Sequence, residues 1–107
     1  MTDTTDATIK RAQDCETMTE VRAGVDATDR ALMELLSVRF GYMRAAARIK
    51  QSRDAVRDED RKQAVIDAAK AAALENGVPV GFVALAWEEL VETSIAYELE
   101  EWERLRA

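Results

Sequence analysis

A chain of 107 residues with 48% hydrophobic side chains can build one globular domain and no more. Its formal net charge of −6, from 15 Lys/Arg against 21 Asp/Glu, argues against nucleic acid as the main partner, because phosphate binding calls for a basic face. With no histidine and a single cysteine, Cys15, it lacks the commonest general base, cannot form an intrachain disulfide, and offers little for a transition-metal site.

The opening MTDTTDATIKRAQD has no apolar core and is no signal peptide. Its small polar residues predict a disordered tail over residues 1–14, ahead of a helical domain over residues 15–107. No apolar run approaches the roughly 20 residues that span a bilayer. Together with the lone cysteine, this leads us to expect a cytoplasmic protein with no membrane partner.

One proline (Pro79) and four glycines are the only strong breakers, so most of the chain should be helix. Thr17 followed by Glu20 forms a capping box, and a first helix is expected from about Met18 to about Ser52. The polar run QSRDAVRDEDR should hold a loop, with Asp58 or Asp60 capping a second helix that reaches about Glu75. In ENG, Asn76 or Gly77 should close that helix in the left-handed conformation. A third helix is expected from about Phe82 to about Leu105. A first helix of about 35 residues is roughly 50 Å long. A compact domain of this size is only about 34 Å across. A second copy of the chain, related by a two-fold axis, is the economical way to cover the excess.

The charges are unevenly spread. Between Arg39 and Lys62 stand eight cations and four anions, while both flanks are acidic. Steps of three and four along the first helix trace a seam through Arg22, Val25, Asp29, Leu32, Leu36, Arg39, Met43, Ala46 and Lys50. Arg39 and Lys50 therefore share a stripe with large apolar residues. Long cations can snorkel from such positions, but Arg57 and Arg61 follow in the same cluster. Arg44, Arg48 and Arg53 lie off the seam and read as solvated. The stripe of the third helix carries Phe82, Leu85 or Ala86, Leu90, Val91, Ser94, Ile95, Glu98, Trp102 and Leu105. Glu98 on that face needs a partner or a proton, and Arg39 or Lys50 could be the ion-pair partner. The functional alternative is a polar pocket in a helical bundle, lined by Arg39, Lys50, Arg61, Ser94 and Glu98, suited to a small dicarboxylate.

These residues resemble the all-helical chorismate mutase family, which includes the isochorismate-pyruvate lyases. The resemblance runs from about Cys15 to Trp102. It rests on EVR early in the first helix, SVRF, AAARIK, VRDEDR, ENG before the third helix and SIAYE within it. It implies an all-α fold of three-helix chains, a long first helix, and an intertwined helical-bundle homodimer. It also implies a chorismate-like dicarboxylate substrate, no cofactor and no metal, and work in aromatic amino acid biosynthesis. Carried over by position, Arg39 clamps one substrate carboxylate, Lys50 reaches the ether oxygen, and Arg61 and Ser94 add contacts on the carboxylate side. Arg22, about 25 Å up the helix from Arg39, would serve the site of the partner subunit. Asp58 matches a loop residue near the ring hydroxyl. Lys62 stands where a glutamate usually receives that hydroxyl, and Glu98 where many members carry glutamine.

The implied reaction is the rearrangement of chorismate to prephenate, which needs no nucleophile. The protein holds the substrate in a compact shape and stabilises charge growing on the ether oxygen. Lys50 would supply that charge stabilisation. Glu98 could donate to the same oxygen only when protonated, a state that burial favours and nearby cations oppose. Arg22, Arg39, Lys50 and Arg61 are shared with the lyases, while Asp58 and Ser94 look more like the mutases. The alternatives are an isochorismate-pyruvate lyase, a mutase of a modified chorismate, and a non-catalytic helical dimer that uses its cations as a docking patch.

Overall fold

The computed structural model describes residues 9–107, in which every regular element is helical. Three long helices follow one another: α1 (Met18–Ile49), α2 (Glu59–Glu75) and α3 (Val80–Leu105). Short 3-10 turns occupy Ala12–Asp14 and Arg53–Ala55. Residues 1–8 of the expected N-terminal tail lie outside the described residues. Within the rest of that segment, Lys10 pairs with Glu20 at 2.6 Å and Arg11 with Asp14 at 2.9 Å, which ties residues 10–14 to the start of α1.

Local chemistry sets the helix ends. The Thr17 hydroxyl accepts from the Glu20 N–H at 3.2 Å, and the Glu20 carboxylate accepts in return from the Thr17 N–H at 3.1 Å, closing the capping box. The Asp58 carboxylate accepts from the Arg61 N–H at 2.9 Å and caps α2. At the other end of α2, Gly77 takes φ of 68°, a conformation that costs a residue with a Cβ. The Val78 N–H then returns to the Ala73 carbonyl at 2.9 Å, which satisfies a carbonyl the helix would leave open.

Two boundaries differ from the sequence expectation. The first helix stops at Ile49 rather than near Ser52, and Ser52 is extended at φ −131° and ψ 149°. Trp102 of α3 and Arg106, its C-cap, take the carbonyls that another helical turn would have used. The third helix begins at Val80, two residues earlier than expected, because Pro79 fixes φ and its carbonyl accepts from the Val83 N–H at 3.1 Å.

The described residues fall into one unit up to Arg39 and a second of Phe40–Ala107. In the second unit α2 packs along α3, and the buried apolar residues are Ala47, Val56, Ala73, Val83 and Val91. Phe40 meets Tyr97 edge to face, with ring centroids 5.1 Å apart. On the expected inward stripe of α3, Val91, Ser94 and Glu98 are buried and Leu90, Ile95 and Trp102 half-buried. Of the alternatives Leu85 and Ala86, Ala86 is half-buried and Leu85 exposed; Phe82 and Leu105 are exposed too, because no part of the second unit covers them. In the first unit no described residue is buried, and Val25, Leu32, Met33, Leu35 and Val38 are all more than half exposed.

Candidate active site

Lys50 is the first residue past the end of α1, where its N–H still reaches the Ala46 carbonyl at 2.9 Å. Its ammonium lies 2.7 Å from Glu98 Oε2. It also donates to the Val56 carbonyl at 3.4 Å. Glu98 is only 4% exposed. The approach to Lys50 is too oblique for a hydrogen bond, and Oε2 has no other donor among the described residues. Glu98 thus has charge compensation and spare accepting capacity together. A buried carboxylate in that condition is costly, so the site retains an unsatisfied polar atom at its centre.

Ser94 lies one turn before Glu98 on α3 and is 3% exposed. Its hydroxyl donates to the Leu90 carbonyl at 2.6 Å. Lys50, Ser94 and Glu98 are therefore brought together at the buried side of α3. Asp58 and Arg61 meet through the α2 cap, and both side chains are exposed. Arg22 is exposed and Arg39 half-buried, and both belong to the unit before Phe40.

Lys62 is engaged with two acids of α3, Glu88 at 3.1 Å and Glu92 at 2.7 Å. Arg57 reaches the same Glu92 at 2.8 Å and also Glu59 at 3.0 Å. The two cations hold the Glu92 carboxyl down to about 2, Arg57 contributing most. Glu92 in turn raises the affinity of Lys62 for its proton. Sequence reasoning missed this network, although Glu88 and Glu92 at i, i+4 on α3 were a usable sign of it. A cleft of about 630 Å³ beside it is lined by residues that include Arg57, Val56, Glu92 and Ile95, but not by Lys50 or Glu98. Of the cations read as solvated, Arg44 bonds the Tyr97 hydroxyl at 2.9 Å and Arg53 pairs with Glu103 at 2.8 Å, both at exposed positions.

Sequence reasoning also missed a second set of contacts around Lys50. The Trp102 indole N–H donates to the Lys50 carbonyl at 2.9 Å. Arg106 donates to the same carbonyl at 2.8 Å and to the Ala47 carbonyl at 3.0 Å. Its guanidinium also lies 4.2 Å from the centre of the Trp102 ring. The spacing of Glu98, Trp102 and Arg106, each four residues apart, was the available signal.

Among the described residues no three His, Cys, Asp or Glu side chains converge as a metal site, and no helix is long and apolar enough to cross a membrane. The fold and site define an all-helical domain that buries a carboxylate, paired with a partly exposed lysine, on a largely apolar helix face. Residues 21–99 match the family described as chorismate mutase type II, and the chain belongs to that family. It is similar to the isochorismate pyruvate lyase of Pseudomonas aeruginosa, with 28% identity over 98 residues, covering 92% of this chain and 97% of that one.

Proposed function

We propose that this protein is a chorismate mutase. The observation that carries the reading is the Lys50–Glu98 pair at 2.7 Å, with Ser94 one turn away, on a buried face of α3 within a chorismate mutase type II chain. In the rearrangement the ether C–O bond breaks as a C–C bond forms in the same molecule, with no group lost or gained. Negative charge grows on the ether oxygen, and the Lys50 ammonium is a preorganised donor for it. Glu98 adds a second donor when it carries a proton. Arg39 and Arg61 suit the two substrate carboxylates through their planar forks, and Arg22 of a second copy completes the clamp. Asp58 and Lys62 complete the ring-side wall, and Lys62 is available there only by leaving Glu88 or Glu92.

The site is proposed to form in a homodimer. The support is the first unit, where Val25, Leu32, Met33, Leu35 and Val38 stand exposed on one long helix with nothing buried. A second reading, isochorismate-pyruvate lyase, is favoured by the likeness to the Pseudomonas aeruginosa enzyme. Incubation with chorismate and separately with isochorismate, followed by product identification, tests both. Prephenate from chorismate supports the mutase. Release of pyruvate from isochorismate without prephenate formation supports the lyase. Neither reaction from a correctly assembled protein overturns both readings.

A further inference from the structure

Glu98, Trp102 and Arg106 follow one another at intervals of four along α3 and its C-cap. All three converge on Lys50. Glu98 takes the ammonium at 2.7 Å, while Trp102 and Arg106 both donate to the main-chain carbonyl at 2.9 and 2.8 Å. Lys50 follows the last residue of α1, where a helix leaves carbonyls without intrahelical donors. Such an end frays unless something outside the helix holds it. Here the Ala47 and Lys50 carbonyls are held by one guanidinium and one indole. The cation stacked on the ring at 4.2 Å keeps those two donors together, and its charge suits the negative end of the helix dipole.

We propose that Trp102 and Arg106 are positioning residues for Lys50: they fix its main chain so that the lysine side chain leaves from a set point toward Glu98 and the reacting oxygen. The inference rests on the assignment of Lys50 to the reaction made above. A lysine has four rotatable bonds, so its ammonium wanders unless its origin is fixed. A misplacement of about 1 Å at a reacting centre can cost roughly a hundred-fold in rate. Arg106 and Trp102 are not placed in contact with substrate, so their loss acts on turnover and leaves the carboxylate clamp intact.

The test uses Trp102→Phe, Arg106→Ala and Arg106→Lys in the full chain, with two readouts. Trp102→Phe removes the N–H donor together with the five-membered ring but keeps an aromatic face beside the guanidinium, so it loses less packing than a truncation to Ala. The first readout is independent of substrate. Lysine labelled with carbon-13 gives signals from Lys10, Lys50, Lys62 and Lys70, and Lys50→Arg assigns the Lys50 signal by its loss. In the wild type that signal stands apart from the signal of exposed Lys70. Trp102→Phe and Arg106→Ala move it toward the Lys70 position, and Arg106→Lys moves it part of the way. The second readout is turnover on whichever substrate the wild type accepts. The expected result is a fall in kcat of about ten- to a hundred-fold with KM little changed, partly restored in Arg106→Lys. A Lys50 signal that stays in place in both Trp102→Phe and Arg106→Ala overturns the proposal, as does a loss confined to KM. A wild type inactive on both substrates removes the chorismate reading, and the lysine signal still decides whether the grip exists.

Discussion

Across the 2.7 Å contact between Lys50 and Glu98 the two partners are unequally wet: the Glu98 side chain is 6% exposed and that of Lys50 31%. This inequality fixes the order of two stability effects. Replacing Lys50 by Met strands a carboxylate that has little access to water. Replacing Glu98 by Gln leaves an ammonium that can turn outward. At fixed chain concentration, Lys50→Met should cost about 2–3 kcal/mol, below the figure for a fully buried pair because Lys50 is partly solvated. Glu98→Gln should cost about 1 kcal/mol. Urea unfolding of the two variants measures both. Equal losses, or a larger loss for Gln, would show that burial does not govern the pair.

Turnover should rank the Glu98 variants differently from stability. The Gln amide can accept from Lys50 and donate to an oxygen in the same place, so Glu98→Gln should keep most of the wild-type kcat. Glu98→Ala deletes the group and should lose about a hundred-fold or more, the usual scale for one donor at a developing oxyanion. A Gln variant as poor as the Ala variant would argue that the negative charge itself is required.

Asp58 has a structural duty that any binding role must share. Its carboxylate accepts the Arg61 N–H at 2.9 Å, so Asp58→Ala should cost about 1 kcal/mol of stability. Asp58→Asn keeps the cap and should unfold close to the wild type. If Asp58 also faces substrate, the Asn variant will raise KM at unchanged stability. An unchanged KM in a stable Asn variant confines Asp58 to the cap.

Acid should weaken the fold through Glu92. Its carboxyl titrates at about 2 in the folded chain, against an ordinary value of 4.5, because Arg57 and Lys62 surround it. A depressed folded value means the stabilisation is fully present above the unfolded value. It is lost as pH falls from about 4.5 towards 2. Glu92→Gln should therefore have a lower Tm than the wild type near neutrality and a shallower decline on the acid side. The difference should shrink at high salt, since the network is solvent-exposed. Melting curves across that range, with and without salt, carry the test. A parallel decline in both proteins would remove Glu92 from the acid response.

The exposed apolar residues from Val25 to Val38 lead to a prediction about assembly. Mixing an Arg22→Ala chain with an Arg39→Ala chain should restore activity towards half of wild type per mixed dimer. One site then carries both lesions and the other neither. Sedimentation should show a dimer at assay concentration. A folded, active monomer, or no recovery after demonstrated subunit exchange, would put Arg22 outside the site.

Legibility in the sequence followed the range of each interaction. The Thr17–Glu20 box was readable, and the ends of α2 were narrowed to Asp58 or Asp60 and to Asn76 or Gly77, because caps and left-handed turns are decided within a few residues. The anomaly of Glu98 was readable from periodicity, since one helix face is a local property. That Lys50 would stand 2.7 Å from it was not, because that distance depends on how the end of α1 meets α3. Trp102 was read as one more apolar residue on its stripe, although its N–H reaches the Lys50 carbonyl from 52 positions away. Phe82, and either Leu85 or Ala86, were expected to face inward, and the periodicity that marked them does not say whether Phe82 or Leu85 has anything to cover it.

The interval of four that links Glu98, Trp102 and Arg106 bears on which length changes α3 can absorb. Each residue added to a helix turns everything beyond it by about 100°. One inserted residue between Glu98 and Trp102 would therefore swing the indole and the guanidinium off the face that carries the carboxylate. A deletion there would swing them the other way. An insertion before Glu98 that is taken up in the turn ahead of α3 leaves the three in register. The segment from Glu98 to Arg106 thus behaves as a ruler of fixed length, open to changes of side chain but closed to changes of spacing.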